Sequence, residues 1–141
     1  MKDIKSRVDK LVRRYKTRNP FEMIKGMNVV LVYYPLVDIR GFYQYFKRNN
    51  IIDIDETRSD PAKKFVLAHE LGHMILHKKS NAIFMDTRTF MKTSGYELEA
   101  DKFAVNLLIS DEDIEEYKNY TAEQISRTLG YHQKLIELRL K

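Results

Sequence analysis

The sequence predicts an α+β fold, and three observations predict it. An apolar, β-branched and aromatic run, Asn28 to Tyr34, reads as a buried strand, and residues 39–46 and 51–55 follow as a hairpin. The stretch from Pro61 to Lys78, with no internal proline, carries apolar residues Phe65, Ala68, Gly72 and Ile75 at helical spacing. A second helical pattern, Ala100, Phe103, Ala104, Leu107 and Leu108, follows downstream. The expected order is N-terminal helices, a small three-stranded sheet, two central helices, then short C-terminal helices.

The N-terminal helix is basic. Residues 1–18 carry Lys2, Lys5, Arg7, Lys10, Arg13, Arg14, Lys16 and Arg18 against Asp3 and Asp9, a net +6 that leaves −1 for the remainder. Ile4, Val8, Leu11, Val12 and Tyr15 form an apolar stripe through the same segment, so a helix packed on the domain with a solvated basic back is expected. Charge with neither stacking aromatics nor a reading motif is weak ground for nucleic-acid recognition, and direct DNA binding is not expected.

Asn19 and Pro20 have the pattern of a cap and first turn for a short helix running to Met27. In the hairpin, Lys47 to Asn50 form the turn, and Ile52 and Ile54 alternate with Asp53 and Asp55. One side of that strand is expected to face the core and the other solvent or a cleft. An exposed edge of the sheet is suited to binding an extended peptide.

The central helix, with Asp60 as expected N-cap and Pro61 at its first position, contains His69, Glu70, Leu71, Gly72 and His73. Two histidines four residues apart lie on one helical face, and a glutamate beside the first supplies a base: this is the zinc-site pattern HExxH. A glycine inside a helix costs about 1 kcal/mol relative to alanine and needs a local reason, which close packing of another segment beside the site supplies.

A catalytic zinc takes three protein ligands, so a third is required. The extended pattern HExxHxxGxxH is excluded, since positions 76 and 79 are Leu76 and Lys79. The alternative is a glutamate from the second helix. At about 100° per residue, Glu97 lies roughly 50° from the centre of that helix's apolar face and Glu99 roughly 110° away on the other flank. Glu97 is therefore the expected ligand. Asp101, one turn later, is placed to accept the remaining ring N–H of a ligating histidine. His77 has turned about 80° from His69 and lies two turns along the axis, too far to share one ion, so it is expected to pack or to support a ligand.

Residues 80–95 carry Phe84, Met85, Phe90 and Met91 among polar turns, and read as satellite core or as one wall of a cleft. Near the C-terminus Thr121 and Gln124 have capping-box spacing, and Gly130 separates two short helical stretches.

At 141 residues and 43% hydrophobic, the chain suits one domain, 1–141, with a basic helix (1–18), a core of about 28–110 and a helical C-terminal segment (111–141). Cysteine is absent, which excludes disulfides, thiolate metal sites and a cysteine nucleophile. The longest apolar run, Val29 to Tyr34, is far too short to span a bilayer, and a soluble cytoplasmic protein is expected.

From Phe65 to Ile109 the chain resembles the ImmA/IrrE family of zinc-dependent metallopeptidases of phages, integrative elements and bacterial regulators. The matching residues are Phe65, Val66, Leu67 and Ala68 leading into HELGH, then Leu76 and His77, then Glu97 to Ala104, Leu107 and Leu108. Gly41, Phe42, Tyr43 and the hairpin to Asp55 are similar to the family's upstream sheet. Ile109-Ser110 departs from the Met-Pro often found there.

The resemblance implies a zincin-like fold and one zinc per chain on His69, His73 and Glu97, with Glu70 catalytic. It also implies a protein substrate, a helix-turn-helix repressor whose cleavage derepresses a phage or mobile element. An oxyanion donor is expected, with Tyr96, Tyr131 and His132 as candidates. The competing reading is a zinc-containing module that relieves the repressor by contact, without cutting it.

Overall fold

A computed structural model describes residues 3–78, 84–86 and 95–141, with 84–86 described as backbone. Helix α1 (Ile4–Tyr15) is followed by α2 (Pro20–Met23) with a 3-10 turn (Ile24–Gly26), then strands β1 (Val29–Tyr34), β2 (Gly41–Phe46) and β3 (Asn49–Asp55). The long helix α3 (Asp60–His77) precedes a short strand β4 (Phe84–Asp86), and α4 (Gly95–Leu108), α5 (Asp111–Glu116), α6 (Ala122–Leu129) and α7 (Gln133–Leu140) complete the chain. The fold class is α+β, as expected.

The sheet runs β1-β3-β2-β4. β3 lies parallel to β1 and antiparallel to β2, and β2 pairs antiparallel with β4. The three expected strands are present; β4 adds a fourth through only three pairs, from Gly41↔Asp86 to Tyr43↔Phe84. The hairpin turn is shorter than the sequence indicates. Phe46 pairs with Asn49, leaving Lys47 and Arg48 as a two-residue loop, both at positive φ, the handedness that matches the twist of the flanking strands.

α3 lies across β2 and β3 on one side and packs along α4 on the other. Its stretch from Phe65 to Met74 is therefore buried all round, rather than along a single stripe. Two glycines make this packing possible. A Cβ on Gly41 would meet Val66 Cγ1 at 2.6 Å and the Asp53 carbonyl oxygen at 2.8 Å, so α3 crosses the sheet where β2 carries no side chain. A Cβ on Gly72 would stand 3.0 Å from Phe103 Cβ, which identifies the segment packed closely beside HELGH as α4.

The cap of α3 is Ser59, whose hydroxyl accepts from Ala62 N, while Asp60 is the first helical residue. The expected Asp60 cap is thus displaced by one position. Pro61 still falls in the first turn, where its missing N–H removes no helical bond.

The pattern in β3 is also corrected. Ile52 and Ile54 are fully buried in the core, but Asp53 and Asp55 are buried too, at 7% and 2% exposure. Asp53 accepts a hydrogen bond from the Tyr34 hydroxyl across the β1–β3 pair (3.0 Å). Asp55 accepts from Leu36 N, Thr57 N, Thr57 Oγ1 and Arg58 Nε, anchoring the chain as it leaves the sheet for α3. For Asp55, hydrogen bonds and the Arg58 cation replace the water that burial removes, whereas burial raises the Asp53 carboxyl.

The helical framework around α4 follows the sequence closely. Ile4 and Val8 of α1 are buried, and α1 packs on α4. Part of the basic character of α1 and its tail is structural: Arg18 donates to the carbonyls of Asn106 and Leu107 at the end of α4, and Lys5 bridges Asp9 and Asp111. Asn19 caps α2 through Phe21 N. At the Ile109-Ser110 departure, Ile109 is buried and Ser110 forms a reciprocal capping box with Asp113 that opens α5. Thr121 and Gln124 form the second expected box, on α6, and Gly130 ends that helix. Among the described residues, no helix is long and apolar enough to cross a membrane. Phe90 and Met91, expected in satellite core or on a cleft wall, lie outside the described residues, and Phe84 and Met85 are described by backbone alone.

Candidate metal centre

Helical periodicity on α3 and α4, and the close approach allowed at Gly72, bring three side chains to one point. His69 and His73 are fully buried on the α4-facing side of α3, their ring centroids 4.8 Å apart and nearly perpendicular. Glu97, in the first turn of α4, reaches both: Oε1 lies 3.5 Å from His69 Nε2, and Oε2 lies 2.8 Å from His73 Nε2. One ligand atom from each of the three residues falls within 4.8 Å of the others.

Donors about 2.1 Å from a shared tetrahedral ion lie roughly 3.4 Å apart, so this spread matches a single metal ion after small adjustment. The donor set, two imidazole nitrogens and a carboxylate, is of the kind that binds zinc. Glu99 is not part of the triad, in keeping with its position on the other flank of α4.

Each histidine of the triad is held from behind. His69 Nδ1 lies 2.8 Å from Asp101 Oδ1, and both side chains are wholly excluded from solvent. Asp101 sits one turn after Glu97, so α4 delivers both carboxylates to the same face. His73 Nδ1 lies 2.9 Å from His77 Nδ1, and His77 Nε2 lies 2.6 Å from Glu99 Oε1. The sequence reading left His77 as packing or support and gave Glu99 no role; the i+4 step from His73 to His77 is the signal that could have linked those two rings.

Glu70 is also fully buried on α3. Its negative charge, with those of Glu97 and Asp101, makes the cluster strongly favourable to positive charge. Burial pushes the His69 imidazole down, but its hydrogen bonds to Asp101 and Glu97 and the charges of Glu70 and Asp101 raise it to about 10. For His73, burial dominates over the bond to Glu97, and with the neighbouring histidines lowers it to about 4, leaving it neutral, the form a metal ligand requires. Burial would raise the Glu97 carboxyl, yet its bonds to His69 and His73 hold it far below the usual carboxylate range. A divalent cation at the triad would complement this charge.

A family model described as the IrrE N-terminal-like domain, of the peptidase class, matches residues 24–141. This chain belongs to the IrrE-like peptidase family. The IrrE-like chain is 39% identical over 139 residues to "uncharacterized immunity region protein 2" of Bacillus phage phi105, covering 96% of this chain and 88% of the relative. It is 28% identical over 131 residues to "metallopeptidase ImmA" of Bacillus subtilis strain 168, covering 89% and 76%. The protein is thus similar to a metallopeptidase and to a phage immunity-region protein.

The three oxyanion candidates of the IrrE-like chain occupy different places. Tyr96 is half exposed beside the cluster, its ring stacked on His77 at 4.3 Å between centroids. Tyr131 packs against both hydrophobic clusters, and burial raises its phenol. The ring of exposed His132 caps α7, accepting from Lys134 N at 3.1 Å.

Proposed function

We propose that this protein is a zinc-dependent endopeptidase that cleaves a helix-turn-helix repressor and thereby derepresses a phage or mobile element. The observation that carries the reading is the convergence of His69 Nε2, His73 Nε2 and Glu97 on one point, with the buried carboxylate Glu70 on the same helix. A purely structural zinc site closes its fourth position with protein and has no use for such a base.

In this account His69, His73 and Glu97 hold the ion, and Asp101 orients His69 through its Nδ1. Zinc bound there supplies Lewis acidity, polarising the scissile carbonyl and acidifying the attacking water. Glu70 takes the proton from that water as its oxygen bonds to the carbonyl carbon. The same carboxyl then delivers the proton to the amide nitrogen as the C–N bond breaks, so no covalent enzyme intermediate forms. Tyr96, stacked at the cluster, is the candidate best placed to donate to the developing oxyanion; Tyr131 and His132 are the alternatives.

The sheet supports a protein substrate. Among the described residues β4 is an edge strand in contact with the helix that carries His69 and His73, an edge to which an extended segment could add. The repressor as substrate rests on similarity to an immunity-region protein and to a metallopeptidase named ImmA.

Co-expression with a candidate helix-turn-helix repressor tests the proposal. Full-length repressor should disappear with the wild-type protein and persist with His69→Ala. Equal persistence with both would reject the protease.

A further inference from the structure

We infer that His77 and Glu99 are positioning residues, a hydrogen-bonded relay that fixes the tautomer of His73 so that its Nε2 lone pair faces the metal. The inference rests on the zinc reading above and deepens it at one ligand.

The chain of contacts is continuous. His73 Nε2 points into the triad, 2.8 Å from Glu97 Oε2. Its other nitrogen, Nδ1, lies 2.9 Å from His77 Nδ1, and His77 Nε2 lies 2.6 Å from Glu99 Oε1. Two imidazole nitrogens at 2.9 Å share one proton: one nitrogen donates, the other accepts.

A single requirement then places every proton. To ligate, His73 Nε2 must be bare, so the His73 proton is on Nδ1 and is donated to His77 Nδ1. His77, accepting at Nδ1, carries its own proton on Nε2 and donates it to the Glu99 carboxylate. The opposite direction, in which His77 Nδ1 donates, places the His73 proton on Nε2, where it blocks the metal. Glu99, at the partly exposed end of the relay, accepts from His77 Nε2 and so holds that ring with its Nδ1 towards His73.

The geometry is held firmly enough for this role. His77 is 3% exposed, and Tyr96 stacks on its ring with planes 28° apart. His77 and Glu99 come from the same two helices as the triad, so the relay and the ligands move together. The two ligand histidines are thus oriented differently: His69 by a carboxylate directly, His73 by a carboxylate acting through a second imidazole.

Zinc affinity, measured by chelator competition, and nuclear magnetic resonance of the zinc-loaded wild-type protein with isotope-labelled histidine test the relay together. The spectra should show His73 protonated at Nδ1 and a scalar coupling across the hydrogen bond to an unprotonated His77 Nδ1. His77→Phe, which keeps ring bulk but cannot accept, should weaken zinc about 10- to 100-fold. His77→Asn, whose side-chain oxygen can stand in for Nδ1, should recover most of that loss. Equal affinity in wild type and His77→Phe, or a proton on His77 Nδ1, would overturn the relay while leaving the zinc site standing. If His77→Phe does not fold, the wild-type spectra decide alone. A wild-type protein that binds no zinc would reject the metal reading itself, and the relay with it.

Discussion

Asp101 Oδ1 lies 2.8 Å from His69 Nδ1, and neither side chain reaches solvent. The same helix carries Glu97 one turn earlier, so the proposed ligand and the carboxylate behind His69 are fixed by one short piece of backbone. Asp101→Asn preserves shape but removes the charge that holds the His69 proton on Nδ1. Zinc affinity should fall about 10- to 100-fold, measured by chelator competition. An unchanged affinity would show that the Asp101 charge does not tune the ligand.

Glu70 is assigned the proton transfers. Glu70→Gln is nearly isosteric, so the variant should retain one zinc per chain by elemental analysis and lose cleavage by at least about 100-fold. Cleavage at the wild-type rate would remove Glu70 from the mechanism.

Gly72 sets the distance between the two helices that share the site. In Gly72→Ala, helix propensity gains about 1 kcal/mol, but the new methyl meets Phe103 Cβ at 3.0 Å, an atom that no side-chain rotation can move. Because Phe103 is fully buried, overpacking of about 1–3 kcal/mol should prevail. Urea unfolding should show net destabilisation; a more stable variant would mean that α4 yields without cost.

Asp55 gives the stability a pH dependence. Burial alone would raise its carboxyl, but bonds from Thr57, Leu36 and Arg58 lower it to about 2. Since the folded value lies below the unfolded one, the stabilisation is complete above about pH 4 and fades as pH falls towards 2. Asp55→Asn should therefore be less stable than wild type at about pH 6, and the gap should narrow at about pH 3. A gap that stays constant in denaturant titrations at both values would show that the charge is immaterial.

Much of the site was legible because helical spacing is local information. His69, Glu70, His73, Glu97 and Asp101 are set by positions along two helices, and their phases can be worked out without knowing what surrounds them. The departures arise where tertiary context decides. Alternation in β3 distinguished its two faces but could not reveal that Asp53 and Asp55 are enclosed, since Tyr34 and Leu36 reach them from 19 residues upstream. The α3 cap shifted from Asp60 to Ser59 because both residue types cap well and only backbone geometry separates them. β4 is three residues long and exists through pairing with β2, too brief for any periodicity to register. His77 and Glu99 each had a helical phase, but their meeting depends on how far apart α3 and α4 pack.

The central claim, metal-dependent peptide hydrolysis, is tested most directly by intact mass spectrometry. The purified zinc-loaded protein is incubated with the helix-turn-helix repressor proposed as its substrate, with and without a chelator. The account predicts two fragments whose masses sum to that of the repressor plus one water, absent when chelator is present. An intact repressor bound by the zinc-loaded protein would contradict it and identify a module that acts by contact.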